Sequence, residues 1–312
     1  MSQEIISKYS HQIDVRMQHG HIPDLRRVQP CDWFYNNLWR RPYLVQMVYG
    51  KYFQLALQLA VGKTLLEVGS GPGHISLEFA REGYHVIGID MSETCVQSAK
   101  KVAAENPYRE KFGSLEYAST DVLTWEPPHH FDNICFFGSL CCTENPAAVL
   151  DRVRQWLRPG GRVMVLEPAR NWFTEKNASL VVLIRSLLAA QNSWYEDLNL
   201  PETREEMEEY VHSCLQEYQT ARDPNESAEL SPVLMKSEVD ILTALRSRFD
   251  EISYQEGCGF FLRIGGGIRT RSEEKAKKLC EFLWLFDQYA VATGLINPGG
   301  FFWVGEGRKS LP

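Results

Sequence analysis

The spacing of apolar positions changes along the chain and predicts regions of different secondary structure. Between residues 64 and 168, short runs of apolar and β-branched residues alternate with stretches whose apolar positions recur at helical spacing. Residues 1–60 and the segment that follows residue 168 show mainly helical spacing, and strand-like runs return after residue 250. Alternating strands and helices are typical of a doubly wound α/β domain with a mostly parallel sheet.

The same spacing predicts individual elements and a division into four regions. The predicted strands are Thr64–Val68, His85–Ile89, Leu115–Ser119, Asn133–Phe137, Arg162–Leu166, Glu251–Tyr254, Phe260–Ile264 and Phe301–Gly305. The predicted helices are Ile75–Glu82, Cys95–Asn106, Ala147–Leu157, Ala178–Gln191, one that begins at Thr203, Lys236–Arg248 and Ser272–Thr293. We expect a helical N-terminal extension over 1–60, an α/β core over 61–170, a helical cap insertion over 171–248, and a final region over 249–312 that completes the core with the last two strands.

The charge distribution argues against nucleic acid as a partner. The chain has 312 residues, of which 44% are hydrophobic and 23% charged, as in an ordinary globular protein, and its formal net charge is −7. Residues 196–256 alone carry sixteen acidic and five basic side chains. Proteins that bind nucleic-acid phosphates need a surplus of Lys and Arg, so we expect a small-molecule substrate instead.

Neither a targeting segment nor a metal site is predicted. Residues 1–8 are polar and lack the apolar core of a signal peptide, and the longest apolar run, over 178–190, is too short to span a bilayer. The eight cysteines form no Cys-x-x-Cys pair and no metal-ligand spacing. We therefore expect a cytoplasmic protein with reduced thiols, no membrane partner and no metal.

A glycine-rich loop follows the first predicted strand. The run Glu67–His74 reads Glu-Val-Gly-Ser-Gly-Pro-Gly-His and leads into a predicted helix. Glycines let a backbone approach a ligand closely, and the amides of a helix start point towards it. A dinucleotide fingerprint needs a small residue where His74 stands, and a phosphate-binding P-loop needs a Gly-Lys-Ser/Thr sequence that is absent. Because Glu67 would repel a pyrophosphate, the loop suits a ligand that carries a cationic amino group.

Two further carboxylates end the next two predicted strands. Asp90 ends the second strand, where a carboxylate can accept both hydroxyls of a ribose. Asp121 follows the third strand, where it could accept from the exocyclic amine of an adenine. In open α/β sheets ligands bind at the carboxyl ends of the strands. The loop and the two carboxylates therefore predict a ligand-binding site at this edge of the sheet.

Residues 60–170 resemble the core of class I S-adenosylmethionine-dependent methyltransferases. The resemblance rests on Glu67–Gly73, Gly88–Ser92, Ser119–Val122, Phe131–Ile134 and Leu157–Gly161. It implies a seven-stranded Rossmann-like sheet, S-adenosylmethionine as cofactor and methyl transfer as activity. The residues that would bind the cofactor are Tyr9, Glu67, Gly69, Ser70, Gly71, Gly73, Asp90, Met91, Asp121, Val122, Phe137 and Gly138.

The acceptor of the methyl group is less well defined by the sequence. The candidates for residues that face it are Trp33, Tyr35, Glu144, Arg170 and Trp172. An aromatic cluster over 33–43 could cover an apolar acceptor, whereas His11, His19 and His21 are expected to be exposed to solvent. No residue can be assigned as a general base.

Three functions remain open on the sequence. The first is methyl transfer to an O, N or C atom of a small molecule, in the biosynthesis of specialised metabolites. The second keeps the cofactor for another reaction such as a cyclisation, and the third is a non-catalytic scaffold. The Asn/Asp-Pro-Pro-aromatic tetrapeptide of many nucleobase methyltransferases is replaced after the fourth strand by residues 136–139, Phe-Phe-Gly-Ser. This difference favours a small-molecule acceptor.

Overall fold

A seven-stranded sheet forms the centre of the computed structural model, which describes residues 3–28, 38–219 and 238–307. The strands are β1 Thr64–Val68, β2 His85–Asp90, β3 Ser114–Ser119, β4 Phe131–Phe137, β5 Leu157–Pro168, β6 Phe249–Glu256 and β7 Gly300–Gly307. Their order across the sheet is β3-β2-β1-β4-β5-β7-β6, and β7 alone runs antiparallel to the others. The predicted fold class, a mostly parallel, doubly wound α/β sheet, is confirmed.

Helices cover both faces of the sheet and extend beyond it. They are α1 Gln3–Gln18, α2 Pro42–Val45, α3 Lys51–Leu59, α4 His74–Arg81, α5 Glu93–Ala104, α6 Pro146–Trp156, α7 Glu175–Ala190, α8 Arg204–Gln219, α9 Glu238–Arg248 and α10 Glu273–Ala292. One core lies between the sheet and α6 and α9, and includes Leu66, Phe136 and Trp303. A second core, which includes Phe79 and Phe302, lies on the opposite face. Strands buried on both faces explain why β1 and β4 read as nearly continuous apolar runs.

The strand predicted over Phe260–Ile264 is wrong, because a short 3₁₀ helix, Phe261–Arg263, occupies this segment. The carboxylate of Asp287 in α10 accepts hydrogen bonds from the backbone N–H groups of Gly259, Phe260 and Phe261 at 2.8, 2.6 and 2.6 Å. N–H groups bound in this way cannot join a sheet ladder. A side chain far along the chain therefore overrides the local apolar pattern.

The sheet has its topological switch point between β1 and β4. From β1 the chain proceeds outward to β2 and β3, then returns to place β4 on the other side of β1. Crossovers on opposite sides leave a crevice beyond the carboxyl ends of these two strands, where open α/β sheets bind ligands. The fold thus places the glycine-rich loop after β1 at the mouth of this crevice.

A buried ion pair ties the N-terminal extension to the core. Arg81, in α4, donates from its two terminal nitrogens to the two carboxylate oxygens of Asp24 at 2.7 and 2.8 Å, and both side chains are 0% exposed. Arg81 also donates to the side-chain oxygen of Asn106, and Arg27 donates to Asp24 at 2.6 Å. The segment that follows α1 is therefore held against α4 by a hydrogen-bonded network whose central Asp24–Arg81 pair is buried.

The described ranges contain no candidate membrane span, no candidate metal cluster and no disulfide bond. No helix there is long and apolar enough to cross a bilayer. The same ranges bring together no group of three or more His, Cys, Asp or Glu side chains that could hold a metal. Of the seven cysteines they contain, all are free and only Cys142 is not buried.

Candidate active site

The glycine-rich loop turns tightly between β1 and α4. The N–H groups of Gly69 and Ser70 both donate to the carbonyl of Ile89, at 2.8 and 3.0 Å, which fixes the loop against the end of β2. Gly71 has a φ of +51° and Gly73 a φ of +84°, values in the left-handed region that favours glycine. A Cβ on Gly71 would lie 3.0 Å from the hydroxyl of Tyr9, so α1 approaches the loop as closely as glycine allows.

We expect Gly73→Ala to destabilise the fold by about 2–4 kcal/mol, since a left-handed φ is combined with overpacking. A Cβ at this position would lie 2.4 Å from the Tyr117 hydroxyl and 2.7 Å from the Ala99 Cβ. Gly160→Ala is the matched control, because Gly160 has a similar φ of +78° and nothing within 4 Å of its added Cβ. Urea unfolding of both variants measures the difference. Equal losses would show that crowding at Gly73 is unimportant.

Glu67 lies beneath the loop with its carboxylate enclosed. The side chain is 2% exposed and accepts hydrogen bonds from the backbone N–H of Ser76, at 2.8 Å, and from the Ser76 hydroxyl. Burial raises the pKa of Glu67 to about 8. Its contact with the cofactor ammonium stays a prediction, while the structure shows it joining β1 to the first turn of α4.

The residues predicted to bind the adenosine lie at the ends of β2 and β3. Asp90 is 8% exposed and accepts from the N–H groups of Gly71 and Ser92 at 2.9 and 2.8 Å. Asp90 pairs with Ser119 across the parallel strands, so the residues that follow each strand are neighbours. These residues are Met91, which is half-buried, and after β3 Asp121 and Val122. The parallel register therefore places the four residues predicted to bind the adenosine at the same edge of the sheet.

Tyr9 projects from α1 towards the same crevice. Burial raises the pKa of its hydroxyl far above the ordinary value, with further contributions from Cys95 and Asp90. The hydroxyls of Ser10 and Ser92 lie 2.7 Å apart and join α1 to the start of α5. The N-terminal helix therefore lies over the glycine-rich loop and beside the start of α5.

A cavity of about 330 Å³ adjoins the loop on the side of β4 and β5. Three of the predicted cofactor residues line it, namely Tyr9, Phe137 and Gly138. The rest of its wall combines aromatic and aliphatic side chains with glycines and a few ionisable groups. These residues include Arg16, His21, Trp39, Tyr49, Tyr52, His74, Glu167 and Phe301.

The predicted acceptor-facing residues have different placements. Trp33 and Tyr35 lie outside the described residues. Glu144 is exposed, and Arg170 is half-buried and donates to the carbonyl of Tyr218 at 3.1 Å. Trp172 packs against Phe301 with a centroid distance of 6.1 Å. Among the described residues that line the cavity, none of the five candidates is present.

The sequence analysis indicates some of the cavity residues and misses others. Trp39, one member of the predicted aromatic cluster over 33–43, lines the cavity, while residues 33–37 of that cluster lie outside the described residues. The expected exposure of His21 is wrong: it is 9% exposed and packs edge-to-face on Trp39 at 4.9 Å. No local feature of the sequence predicts that Phe301 lines the cavity, because only the antiparallel pairing of β7 with β5 places it beside Glu167.

Two buried carboxylates hold two loops of the cavity wall. Glu167 accepts from the N–H groups of Ser139 and Leu140 at 3.0 and 2.7 Å, in the segment after β4. Asp287 binds the three N–H groups of residues 259–261 described above, next to the cavity residues Cys258 and Leu262. Buried carboxylates bound to backbone N–H groups keep these loops in one conformation.

The stability that Asp287 contributes by holding its loop is predicted to depend on pH. Burial raises the pKa of Asp287 to about 6, against the opposing effect of its three N–H donors. Because the folded state binds this proton more tightly than the unfolded state, the associated stability is complete at low pH and is lost as the pH rises through about 6.

We therefore expect the difference in free energy of unfolding between the wild type and Asp287→Asn to fall from about pH 4 to about pH 7. Urea unfolding at each pH measures it. Glu67 and Glu167 titrate in both proteins, so their effects cancel in the difference. A difference that increases with pH would contradict the raised pKa.

The residues around the loop suit S-adenosylmethionine. The hydroxyl of Ser70 is buried and has no hydrogen-bond partner within the described chain, which is the mark of a group that a ligand would satisfy. The Asp90 carboxylate keeps unused lone pairs beside it, at the adjacent strand end. Glycines at 69, 71 and 73 leave room for an amino-acid chain along the loop.

Comparison with known proteins assigns the family. A model described as a methyltransferase domain matches residues 44–218. The ubiquinone biosynthesis O-methyltransferase of Aeromonas salmonicida is 33% identical over 113 residues, which are 35% of this chain and 45% of that protein. "Probable thiol methyltransferase 2" of Arabidopsis thaliana is 33% identical over 100 residues, which are 31% of this chain and 43% of that protein. The chain thus spans about half the length of the curated relatives that it matches.

A solved structure supports the fold over the whole length. The cyclase SpnF has a TM-score of 0.51 and 13% identity, and the match covers 96% of this chain and 94% of that one. At this identity the likeness concerns the fold alone. Because the matched family model covers more than half of the sequence, the chain belongs to the family of class I S-adenosylmethionine-dependent methyltransferases.

Proposed function

We propose that the protein transfers a methyl group from S-adenosylmethionine to a small-molecule acceptor that binds in the cavity beside the glycine-rich loop. The observation that carries the proposal is the continuity of the two sites: Tyr9, Phe137 and Gly138 belong both to the predicted cofactor set and to the cavity wall. An acceptor in this cavity would therefore lie next to the methionine end of the cofactor. The O-methyltransferase and thiol methyltransferase relatives support methyl transfer as the activity.

The proposed roles follow from position. The loop around Ser70 would hold the amino-acid end of the cofactor, Asp90 would accept from the ribose hydroxyls, and Asp121 from the adenine amine. When bound, the cofactor supplies an electrophilic methyl group on its sulfonium. The cavity would align the acceptor with this methyl group, and such alignment accounts for much of the rate of an in-line displacement. No residue is assigned as a base.

Incubation with methyl-labelled S-adenosylmethionine and a panel of small phenols, thiols and amines tests this proposal. We expect label in the product of at least one acceptor class. A cofactor-dependent product without label would instead assign another reaction, such as a cyclisation. Failure of the wild type to bind S-adenosylhomocysteine in calorimetry would favour a non-catalytic scaffold.

A further inference from the structure

His74 is a partly buried histidine whose ring nitrogens are not used in hydrogen bonds. It is the first residue of α4, directly after the glycine-rich loop, and it lines the cavity. Its Nδ1 is buried without a partner, and neither ring nitrogen makes a hydrogen bond to the described residues. Leaving a buried polar group unpaired costs about 1–3 kcal/mol, so such a group needs an explanation.

Aromatic rings surround the imidazole. The ring of His74 makes edge-to-face contacts with Trp39, at a centroid distance of 5.3 Å, and with Tyr49, at 5.7 Å. Burial lowers the pKa of His74 to about 4, so the ring is neutral near pH 7 and carries one N–H donor and one acceptor nitrogen. An edge-to-face contact lets a ring N–H meet the negative face of an aromatic ring.

Only part of the His74 side chain is enclosed. Nδ1 is buried without a partner, whereas the residue as a whole is partly exposed and lines the cavity. We assign the proton to Nδ1, because an enclosed N–H among aromatic rings can meet the face of a ring whereas an enclosed lone pair could not, and this tautomer leaves the lone pair of Nε2 for a ligand in the cavity. A ligand that satisfies this lone pair must itself donate a hydrogen bond.

We propose that His74 recognises a hydroxyl group of the acceptor, and that the acceptor has an apolar, ring-containing body that fits between Trp39, Tyr49 and the other aromatic walls. This inference rests on the proposed function, since it describes the molecule that receives the methyl group. His74 acts here as a positioning residue: a neutral imidazole accepts the O–H hydrogen bond and orients the oxygen. Carbonyl and ether groups, which only accept, leave Nε2 unpaired.

Binding of a matched pair of probes tests the proposal. The probes are para-propylphenol and para-propyltoluene, which differ by a hydroxyl in place of a methyl, each titrated onto the protein saturated with S-adenosylhomocysteine. We expect the wild type to bind the phenol about fivefold to tenfold more tightly, as for one neutral hydrogen bond. His74→Phe should abolish this preference and leave the affinity for S-adenosylhomocysteine unchanged, whereas His74→Asn should retain part of it. His85→Phe, at an exposed histidine on β2, is the control.

Each contrary outcome has a separate meaning. A wild type with no preference for the phenol, whether it binds both probes or neither, overturns the proposal. A preference for the phenol that survives in His74→Phe also overturns it. A loss of S-adenosylhomocysteine affinity in His74→Phe overturns it as well, because that result would assign His74 to the cofactor. If the wild type itself does not bind S-adenosylhomocysteine, the proposed function fails first. The ¹⁵N resonance of the His74 ring gives an independent readout, because it should shift on addition of the phenol.

Discussion

Replacement of Asp90 by alanine is expected to weaken the binding of S-adenosylhomocysteine by about 100-fold. A carboxylate that accepts both ribose hydroxyls makes two charge-assisted hydrogen bonds, each worth about 1.5 kcal/mol or more. The lost carboxylate also leaves the buried N–H groups of Gly71 and Ser92 without their acceptor, which loosens the glycine-rich loop. Isothermal titration calorimetry measures the affinity.

Two companion variants separate recognition from folding. Asp90→Asn keeps one acceptor oxygen and should lose less affinity than the alanine variant, while thermal unfolding shows whether each protein is folded. Glu93→Ala removes a nearby carboxylate that is exposed, and should bind as the wild type does. Unchanged affinity in a folded Asp90→Ala protein would show that the ribose does not bind at the end of β2.

Replacement of Asp24 by alanine is expected to lower the free energy of unfolding by about 3 kcal/mol, the lower end of the cost of removing one partner of a buried ion pair. Arg81, which is 0% exposed, would keep its ion pair with Glu78 at 2.5 Å but lose both hydrogen bonds to Asp24. Hydrogen bonds from Arg81 and Arg27 outweigh burial and lower the pKa of Asp24 to about 2. The stability that this pair contributes is therefore present at neutral pH and is lost as the pH falls towards 2.

An exposed ion pair provides the control for Asp24. Arg204 and Glu208 lie one turn apart in α8 at 2.8 Å, with side chains that are 86% and 64% exposed, and Glu208→Ala should change stability little. Urea unfolding near neutral pH compares the two variants. An equal effect at both sites would mean that the Asp24–Arg81 pair does not anchor the extension.

The Asp24–Arg81 ion pair is also expected to affect the binding of S-adenosylhomocysteine. Asp24 follows α1, the helix that places Tyr9 over Gly71 and lies over the glycine-rich loop. A folded Asp24→Asn protein should therefore bind S-adenosylhomocysteine more weakly than the wild type, since the segment that follows α1 would be held less firmly against α4.

Local sequence was sufficient where neighbouring residues decide the structure. A short apolar run followed by closely spaced glycines specified the turn from β1 into α4, because few other residues adopt the left-handed backbone at Gly73. The parallel arrangement then placed Asp90 and Asp121 at one edge, since the carboxyl ends of parallel strands coincide.

Distant contacts decided what the sequence analysis missed. Asp287 captures the N–H groups of residues 259–261 and prevents the strand expected there. His21, which looks like a surface histidine, is buried because Trp39 packs on it. Phe301 enters the cavity wall only because β7 runs antiparallel to β5.

The sequence by itself thus determined the fold class, the family and the set of residues predicted to hold the cofactor, since these depend on spacing within single strand–loop–helix units. Only the tertiary structure decided the walls of the cavity, because they come from α1, the segment after residue 38, the loop over 257–262 and β7. Their meeting depends on ion pairs, carboxylate–backbone bonds and strand direction between residues far apart in the chain. Such contacts leave no periodic signal in the sequence.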